Sequence, residues 1–201
     1  MSPDERRAQV VAAAAGLFDT AGYTRVTMGD IAQDVGIAKP TLYHYFNGKD
    51  DILLAIHEEF IDLLIGRHEA RRLSDATPEA LLLEAMGDIL ELMETHRGHV
   101  RVFFEQHREL PKAARAAIRE KRDRYEKAVE ALFVDAQRTH AFVELDSHLA
   151  ALAMFGMCNW AYQWYRPGGS LAAREVAERF WRILVGGVGD PRLVQSLAVT
   201  D

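Results

Sequence analysis

The chain has 201 residues, of which 49% are hydrophobic and 27% are charged, a composition typical of a globular protein with a substantial core. Its net charge of −6 argues against a protein that coats nucleic acid by charge alone, although a local basic strip can still bind DNA. The single cysteine, Cys158, excludes a disulfide framework within the chain. Since no signal-peptide pattern or membrane-spanning run occurs, we predict a cytoplasmic protein that binds no membrane.

A complete start signal marks the first predicted helix. Ser2 is a favourable N-cap, Pro3 suits the first helical position, and Glu5 can accept a hydrogen bond from the backbone of the cap. Apolar residues then recur at helical spacing, and Gly22 is predicted to end the helix.

The second predicted helix is short. Thr27 and Asp30 have the spacing of a capping box, so we expect the helix to begin at Met28. Gly36 lies where the helix should end, because glycine adopts the left-handed conformation of that position without steric penalty.

A third helix follows after a turn of a few residues. Pro40 is near its first position, where a missing N–H costs nothing, and we predict that the helix continues to about Phe46. Helical spacing places Leu42 and Phe46 on one face and leaves Pro40, Thr41 and His44 on the opposite face. The second face is therefore unusually polar for a helix in a core.

The charge around this turn favours a nucleic-acid partner. No acidic residue occurs between residues 35 and 49, whereas Lys39 and Lys49 both do. Two helices, a glycine turn and a polar second helix are the elements of a helix-turn-helix, whose second helix enters the major groove of DNA. From these residues alone, an ordinary corner between two helices of a bundle is the alternative.

The rest of the chain is predicted to be helical, without a β-strand of useful length. The predicted helices cover residue 49 to about 72, 78 until an interruption at Gly98, about 100 to 110, 112 to about 139, 146 to about 165, and 171 to 186, the last with Ser170 as its cap. The final two are too apolar for the surface of a monomer, so they are predicted to pair with a second copy as a four-helix bundle.

A longer pattern overlies the helix-turn-helix. The residues that carry it are Thr27, Asp30-Ile31-Ala32, Val35-Gly36-Ile37, Thr41-Leu42-Tyr43, Tyr45-Phe46 and Lys49-Asp50. They resemble the DNA-binding signature of the TetR family of bacterial transcriptional regulators. The resemblance implies an all-α protein with an N-terminal three-helix DNA-binding domain, residues 1–48, and a C-terminal ligand-binding and dimerisation domain, residues 49–201.

The resemblance also implies a homodimeric repressor that binds a palindromic operator and is released by a ligand. Phosphate contacts are expected from Thr27, Tyr43, Tyr45 and Lys49, and contacts near base edges from Lys39, Thr41 and His44, with Pro40 on the same face.

Methionines and aromatic residues of the second domain are candidates for an adaptable apolar cavity. The predicted ligand-binding residues are Met86, Met93, Phe103, Phe104, Arg122, Tyr125, Met157, Trp160 and Trp164. For each apolar residue singly, core packing is the alternative.

The segment 159–169 is similar to the C-terminal segment of TetR regulators of fatty-acid and steroid catabolism, whose effectors are acyl-CoA thioesters. This similarity implies cationic partners for the CoA phosphates, for which Arg115, Arg119, Arg122 and Arg124 are candidates. A solvated helix face with an ion pair between Glu120 and Arg124 is the alternative.

Enzyme and metal functions find little support. No catalytic or cofactor-binding motif occurs, and Cys158 lies in an apolar setting that makes a thiol inert. His96, His99 and His107 invite a metal site, but no glutamate precedes a histidine by three residues. We therefore predict no catalytic residue, cofactor or metal. The alternatives are an all-helical metalloenzyme and a protein-interaction module without specific DNA binding.

Overall fold

The computed structural model describes residues 2–187 and contains helices without any β-strand in that range, which confirms the predicted all-α class. The α-helices are α1 Pro3–Ala21, α2 Met28–Val35, α3 Lys39–Tyr43, α4 Lys49–Arg71, α5 Pro78–Thr95, α6 Arg97–Glu105, α7 Lys112–Arg138, α8 Ser147–Trp160 and α9 Ala173–Gly186. Short 3₁₀ turns, His107–Glu109 and Ala161–Gln163, follow α6 and α8. Within residues 2–187 no helix combines the length and apolarity needed to cross a bilayer. The predicted C-terminal limit of the second domain, residue 201, lies outside the described residues.

The predicted helix starts of the N-terminal region are confirmed. The Ser2 hydroxyl accepts a hydrogen bond from the Glu5 amide at 3.1 Å, while the Glu5 carboxylate accepts one from the Ser2 amide at 2.6 Å. Thr27 and Asp30 form the same reciprocal pair, at 3.2 and 2.8 Å. Each pair satisfies two amides that have no partner within the helix.

The third helix is shorter than predicted. It ends at Tyr43 rather than at about Phe46. Its last turn tightens, because the Tyr45 amide bonds to the Leu42 carbonyl, three residues back, at 3.0 Å. The polar face of α3 is therefore little more than one turn long.

Other boundaries also differ from the prediction: α6 ends at Glu105 instead of about residue 110, and α8 ends at Trp160 instead of about residue 165. The break after α5 falls at His96, with φ −135°, and Gly98 lies inside α6 instead of interrupting a helix. Ser170 does not cap α9, which begins later, with Ala172 as its cap. The Glu175 carboxylate accepts a hydrogen bond from the Ala172 amide at 2.8 Å, so the start of α9 is satisfied from within the helix.

The first three helices form a compact unit around fully buried apolar residues, among them Phe18, Ile31 and Leu42. Helix α1 packs against α4 and α6, and the hydrophobic core continues from this unit into the helices that follow. Gly98 of α6 lies close to the backbone of α1, because a Cβ at this position would lie 2.9 Å from the carbonyl carbon of Ala15. The N-terminal unit thus rests directly on α6.

A charged cluster joins α4, α5 and α9. Asp88 of α5 is only 1% exposed and pairs with Arg67, at 3.2 Å, and with Arg71, at 2.9 Å, from α4. Arg174 of α9 donates from Nε to Glu91 at 2.6 Å. The pairing compensates the buried carboxylate, which would otherwise be costly.

Candidate functional site

The turn between α2 and α3 has the geometry of a helix-turn-helix. Gly36 takes the left-handed conformation, φ 72° and ψ 35°, and the Ile37 amide bonds back to the Ala32 carbonyl at 2.9 Å. Helix α3 then starts at Lys39, and its Leu42 side chain is fully buried against the unit. The remaining faces of α3 are exposed, as a helix that enters a groove requires.

Most of the predicted DNA-contact residues are exposed in the structure. The exposed residues are Lys39, Pro40, Thr41 and Tyr43 in α3, His44 just after it, and Thr27 at the start of α2, whereas Tyr45 and Lys49 are half-buried. Their contacts with DNA stay predictions.

Lys49 has a role within the protein that the sequence did not reveal. Its ammonium donates to the carbonyls of Tyr23, at 2.7 Å, and Val26, at 2.9 Å, and lies 4.1 Å from the centre of the Tyr23 ring. The Tyr23 hydroxyl in turn bonds to Asp50, and burial together with this bond raises the pKa of Tyr23. Lys49 therefore fastens the loop before α2 to the start of α4.

A cavity of about 400 Å³ lies between α4, α5, α6, α7 and α8. Its inner wall consists of buried residues, namely Phe60, Ile61, Leu64, Ile89, Phe103 and Tyr125. Its mouth is formed by exposed or half-buried residues, namely Phe104, Arg122, Glu126, Leu152, Phe155, Gly156 and Asn159. An apolar interior with a few polar groups is typical of a small-molecule site.

The predicted ligand residues fall into two groups. Phe103, Phe104, Arg122 and Tyr125 line the cavity together. The others lie elsewhere: Met86 is in the core, Met93 borders a separate small space beside Arg97, Met157 is half-buried on α8, and Trp160 and Trp164 are exposed. The prediction that all nine bind one ligand remains untested.

Sequence reasoning did not assign the α4 wall of the cavity to a ligand. Phe60 and Leu64 are apolar residues at helical spacing, and helical periodicity cannot distinguish a residue of the core from one that faces a cavity. Gly156, which offers no side chain, also lines the mouth.

The outer face of α7 carries many cations. The residues along its surface groove include Lys112, Arg115, Arg119, Lys121, Arg124 and Lys127. Lys121 pairs with Asp62 of α4 at 2.8 Å. No ion pair between Glu120 and Arg124 is found among residues 2–187. Beside the cavity mouth at Arg122, this face offers charge to an anionic group.

Other reactive side chains are accounted for by packing. In the described part of the chain, no three histidine, cysteine, aspartate or glutamate residues are grouped to hold a metal. The ring centres of His96 and His99 are 5.4 Å apart, and His99 Nε2 lies 3.5 Å from Glu59. Burial raises the pKa of the Cys158 thiol to about 12, so it stays protonated and unreactive.

A helix-turn-helix unit joined by a long helix to a second helical unit is the architecture of a DNA-binding regulator. Residues 10–56 match the family of bacterial regulatory proteins named tetR, and residues 75–188 match the tetracyclin repressor-like C-terminal domain. The chain belongs to the TetR family and is a helix-turn-helix transcriptional regulator.

Similar proteins support this assignment. The HTH-type transcriptional repressor KstR2 of Mycobacterium tuberculosis is 27% identical over 187 residues, which cover 92% of this chain and 94% of that protein. The TetR regulator PfmR from Thermus thermophilus superposes with a TM-score of 0.84 at 28% identity, covering 90% of this chain and 99% of PfmR. AibR, solved in complex with isovaleryl coenzyme A and operator DNA, gives a TM-score of 0.79 at 26% identity, covering 90% of this chain and 98% of AibR.

Proposed function

We propose that the protein is a homodimeric repressor that binds a palindromic operator in the bacterial cytoplasm and is released by a small effector, without catalytic activity. The observation that carries this proposal is the coexistence of an exposed α3 and an apolar cavity, two of whose helices, α4 and α6, also pack against α1 of the N-terminal unit. In such a dimer the two copies of α3 would reach major-groove segments roughly 34–36 Å apart, or a multiple of that distance.

Helices α4 and α6 would transmit the effector's presence. Phe60 of α4 and Phe103 of α6 meet in the cavity wall with ring centres 4.4 Å apart. Helix α6 also holds α1, because the Gln106 side chain, just after α6, donates to the Phe18 carbonyl of α1 at 2.9 Å. An effector that separates the two rings would shift α1, and with it α3. The expected coupling is about 1–3 kcal/mol.

The effector we propose is an acyl-CoA thioester or another small hydrophobic molecule. The cavity interior suits an acyl chain, and Arg122 at the mouth is followed along α7 by Arg115 and Arg119, which suit the CoA phosphates. The complex of AibR with isovaleryl coenzyme A lends support by similarity.

Operator selection followed by effector titration tests the proposal. DNA selected with the purified protein provides the operator, and isovaleryl-CoA, hexanoyl-CoA and free coenzyme A are titrated into the complex. We expect the two thioesters to release the operator at least about fivefold more effectively than coenzyme A, since coenzyme A lacks the acyl chain. Absence of any selected site would contradict DNA regulation, whereas a selected site that no thioester releases would contradict the effector alone.

Lys39 and Lys49 are expected to behave differently when each is replaced. Lys39→Ala should weaken operator binding by about 1–3 kcal/mol and leave stability within about 0.5 kcal/mol, because Lys39 is exposed on α3. Lys49→Met should lower the free energy of unfolding by about 1.5–3 kcal/mol, because its ammonium serves two carbonyls. Fluorescence anisotropy with operator DNA and urea denaturation measure the two effects. An operator affinity of Lys39→Ala equal to that of the parent protein would contradict the assignment of α3 as the DNA-contacting helix.

An exposed apolar surface on α8 and α9 supports the proposed dimer. Leu149 and Trp160 of α8 are 63% and 64% exposed, and Ile183 and Val185 of α9 are also exposed. Such a surface is unusual unless it meets a partner.

Breaking this surface should separate the subunits. Trp160→Asp places a charge in the proposed interface and is expected to give a monomer by light scattering at micromolar concentration. Leu73→Asp is the control, because Leu73 is 90% exposed in the loop after α4 and should leave the dimer intact. A dimeric Trp160→Asp protein would place the interface elsewhere.

A further inference from the structure

Two buried polar side chains, one in the cavity wall and one packed against it, have atoms without a hydrogen-bond partner among residues 2–187. Tyr125 of α7 lines the cavity and is 4% exposed, yet its hydroxyl makes no hydrogen bond among residues 2–187. His68 of α4 is 6% exposed, and its Nε2 likewise has no partner in this range. The two rings meet edge to face, with centres 6.0 Å apart. Buried polar groups rarely lack a hydrogen-bond partner, so we expect this pair to bind a polar group of a ligand.

Neighbouring charged side chains do not serve as the missing hydrogen-bond partners. The charge of Asp88 acts on Tyr125, but Arg67 and Arg71 already pair with this carboxylate. Phe155, whose ring centre is 5.8 Å from that of Tyr125, offers no hydrogen-bonding group. The hydroxyl and the imidazole nitrogen are therefore free to bind a group that enters from the cavity.

Both side chains are uncharged near neutral pH. Burial raises the pKa of the Tyr125 hydroxyl, which keeps its proton available for donation. Burial, followed by the charge of Arg72, lowers the pKa of His68, so that its imidazole stays neutral. A neutral hydroxyl and a neutral imidazole favour a neutral oxygen over a carboxylate, whose burial would need a compensating cation.

We propose that Tyr125 and His68 form a polar subsite for a keto or hydroxyl oxygen carried by the buried end of the effector. Leu64 lines the cavity one helical turn before His68, which places the subsite directly beyond the apolar part of the α4 wall. An acyl group would then lie along Phe60 and Leu64 with its oxygen at Tyr125. The inference rests on the proposed effector cavity and defines its ligand as an oxygenated acyl compound instead of a plain hydrocarbon chain.

Direct binding to the DNA-free protein tests the subsite. The probes are hexanoyl-CoA and its 4-oxo and 5-oxo derivatives, measured by calorimetry with the parent protein and with Tyr125→Phe. At least one oxo derivative should bind the parent about tenfold more tightly than hexanoyl-CoA. In Tyr125→Phe, which keeps the ring, the ratio between the oxo and hexanoyl-CoA affinities should fall to within twofold.

Two controls separate the subsite from general packing. Phe155→Leu changes an apolar residue of the same cavity, so it should weaken all three ligands equally. His68→Leu should reduce the oxo advantage without abolishing hexanoyl-CoA binding. Thermal unfolding of each variant verifies that the fold is kept.

The outcomes distinguish this inference from the proposed function. Equal binding of all three probes by the parent, an oxo advantage that persists in Tyr125→Phe, or no binding of any probe would overturn the subsite. Operator release by hexanoyl-CoA without an oxo preference would leave the proposed function standing. An oxo preference without operator release would confirm the subsite and contradict release by this ligand.

Discussion

Gly98→Ala is expected to destabilise the protein by about 1–3 kcal/mol, the usual cost of overpacking, although alanine is the better helix former. A Cβ at residue 98 would lie 2.9 and 3.0 Å from the carbonyl carbon and oxygen of Ala15, and 3.1 Å from the amide nitrogen of Gly16. All three atoms belong to the backbone of α1, so the contact is relieved only by moving one helix away from the other.

Gly16→Ala is the matched control, because Gly16 lies in α1 at the same crossing and its added Cβ would meet nothing within 4 Å. This variant should be stabilised by about 0.4–1 kcal/mol. Urea denaturation of both variants measures the difference. Since α1 carries the helix-turn-helix unit, Gly98→Ala should also bind operator more weakly, whereas Gly16→Ala should bind normally. Equal stability of the two variants would contradict the close packing of α1 on α6.

Asp88→Ala is expected to cost about 3 kcal/mol of the free energy of unfolding. The side chain is 1% exposed and holds Arg67 and Arg71, so its removal leaves these guanidinium groups with only their partly exposed partners, Glu91 and Glu84. The value is near the lower end of the range for buried pairs, because both arginines are about a third exposed and regain some hydration.

Glu84→Ala provides the control within the same cluster. Glu84 also pairs with two arginines, Arg71 at 3.3 Å and Arg174 at 2.9 Å, but its side chain is 39% exposed. Exposed pairs contribute little, so we expect a loss below about 1 kcal/mol. Chemical denaturation at low and high salt measures both variants, and only the Glu84 effect should be strongly reduced by salt. Equal losses for the two carboxylates would contradict the importance of burial.

The local signals of the sequence predicted the fold well. Capping pairs such as Thr27 with Asp30, and the left-handed Gly36, act within a few residues and are readable from the chain alone. Gly98 shows the limit. A glycine within a helical pattern indicates an interruption, but here it permits contact with a helix more than 80 residues away in sequence, which local spacing cannot reveal.

The candidate sites likewise contain features that the sequence predicts and features that only the tertiary structure reveals. The polar face of α3 follows from helical periodicity, so its exposure could be predicted. Lys49 bonds to the carbonyls of Tyr23 and Val26, which precede it by 26 and 23 positions, and no local sequence pattern predicts these contacts. The cavity depends on how five helices fail to fill the space between them. The sequence could therefore identify aromatic residues as candidates for ligand binding. Only the tertiary structure shows that Phe103 lines the cavity whereas Met86 is buried in the core.

The position of the cavity mouth has a consequence for ligand exchange. Leu152 and Gly156 line the mouth on α8, the helix whose exposed Leu149 and Trp160 are proposed to meet a second copy. In that assembly, the doorway to each cavity lies beside the neighbouring subunit. Dilution that separates the subunits would then change the rates at which the small molecule enters and leaves the cavity.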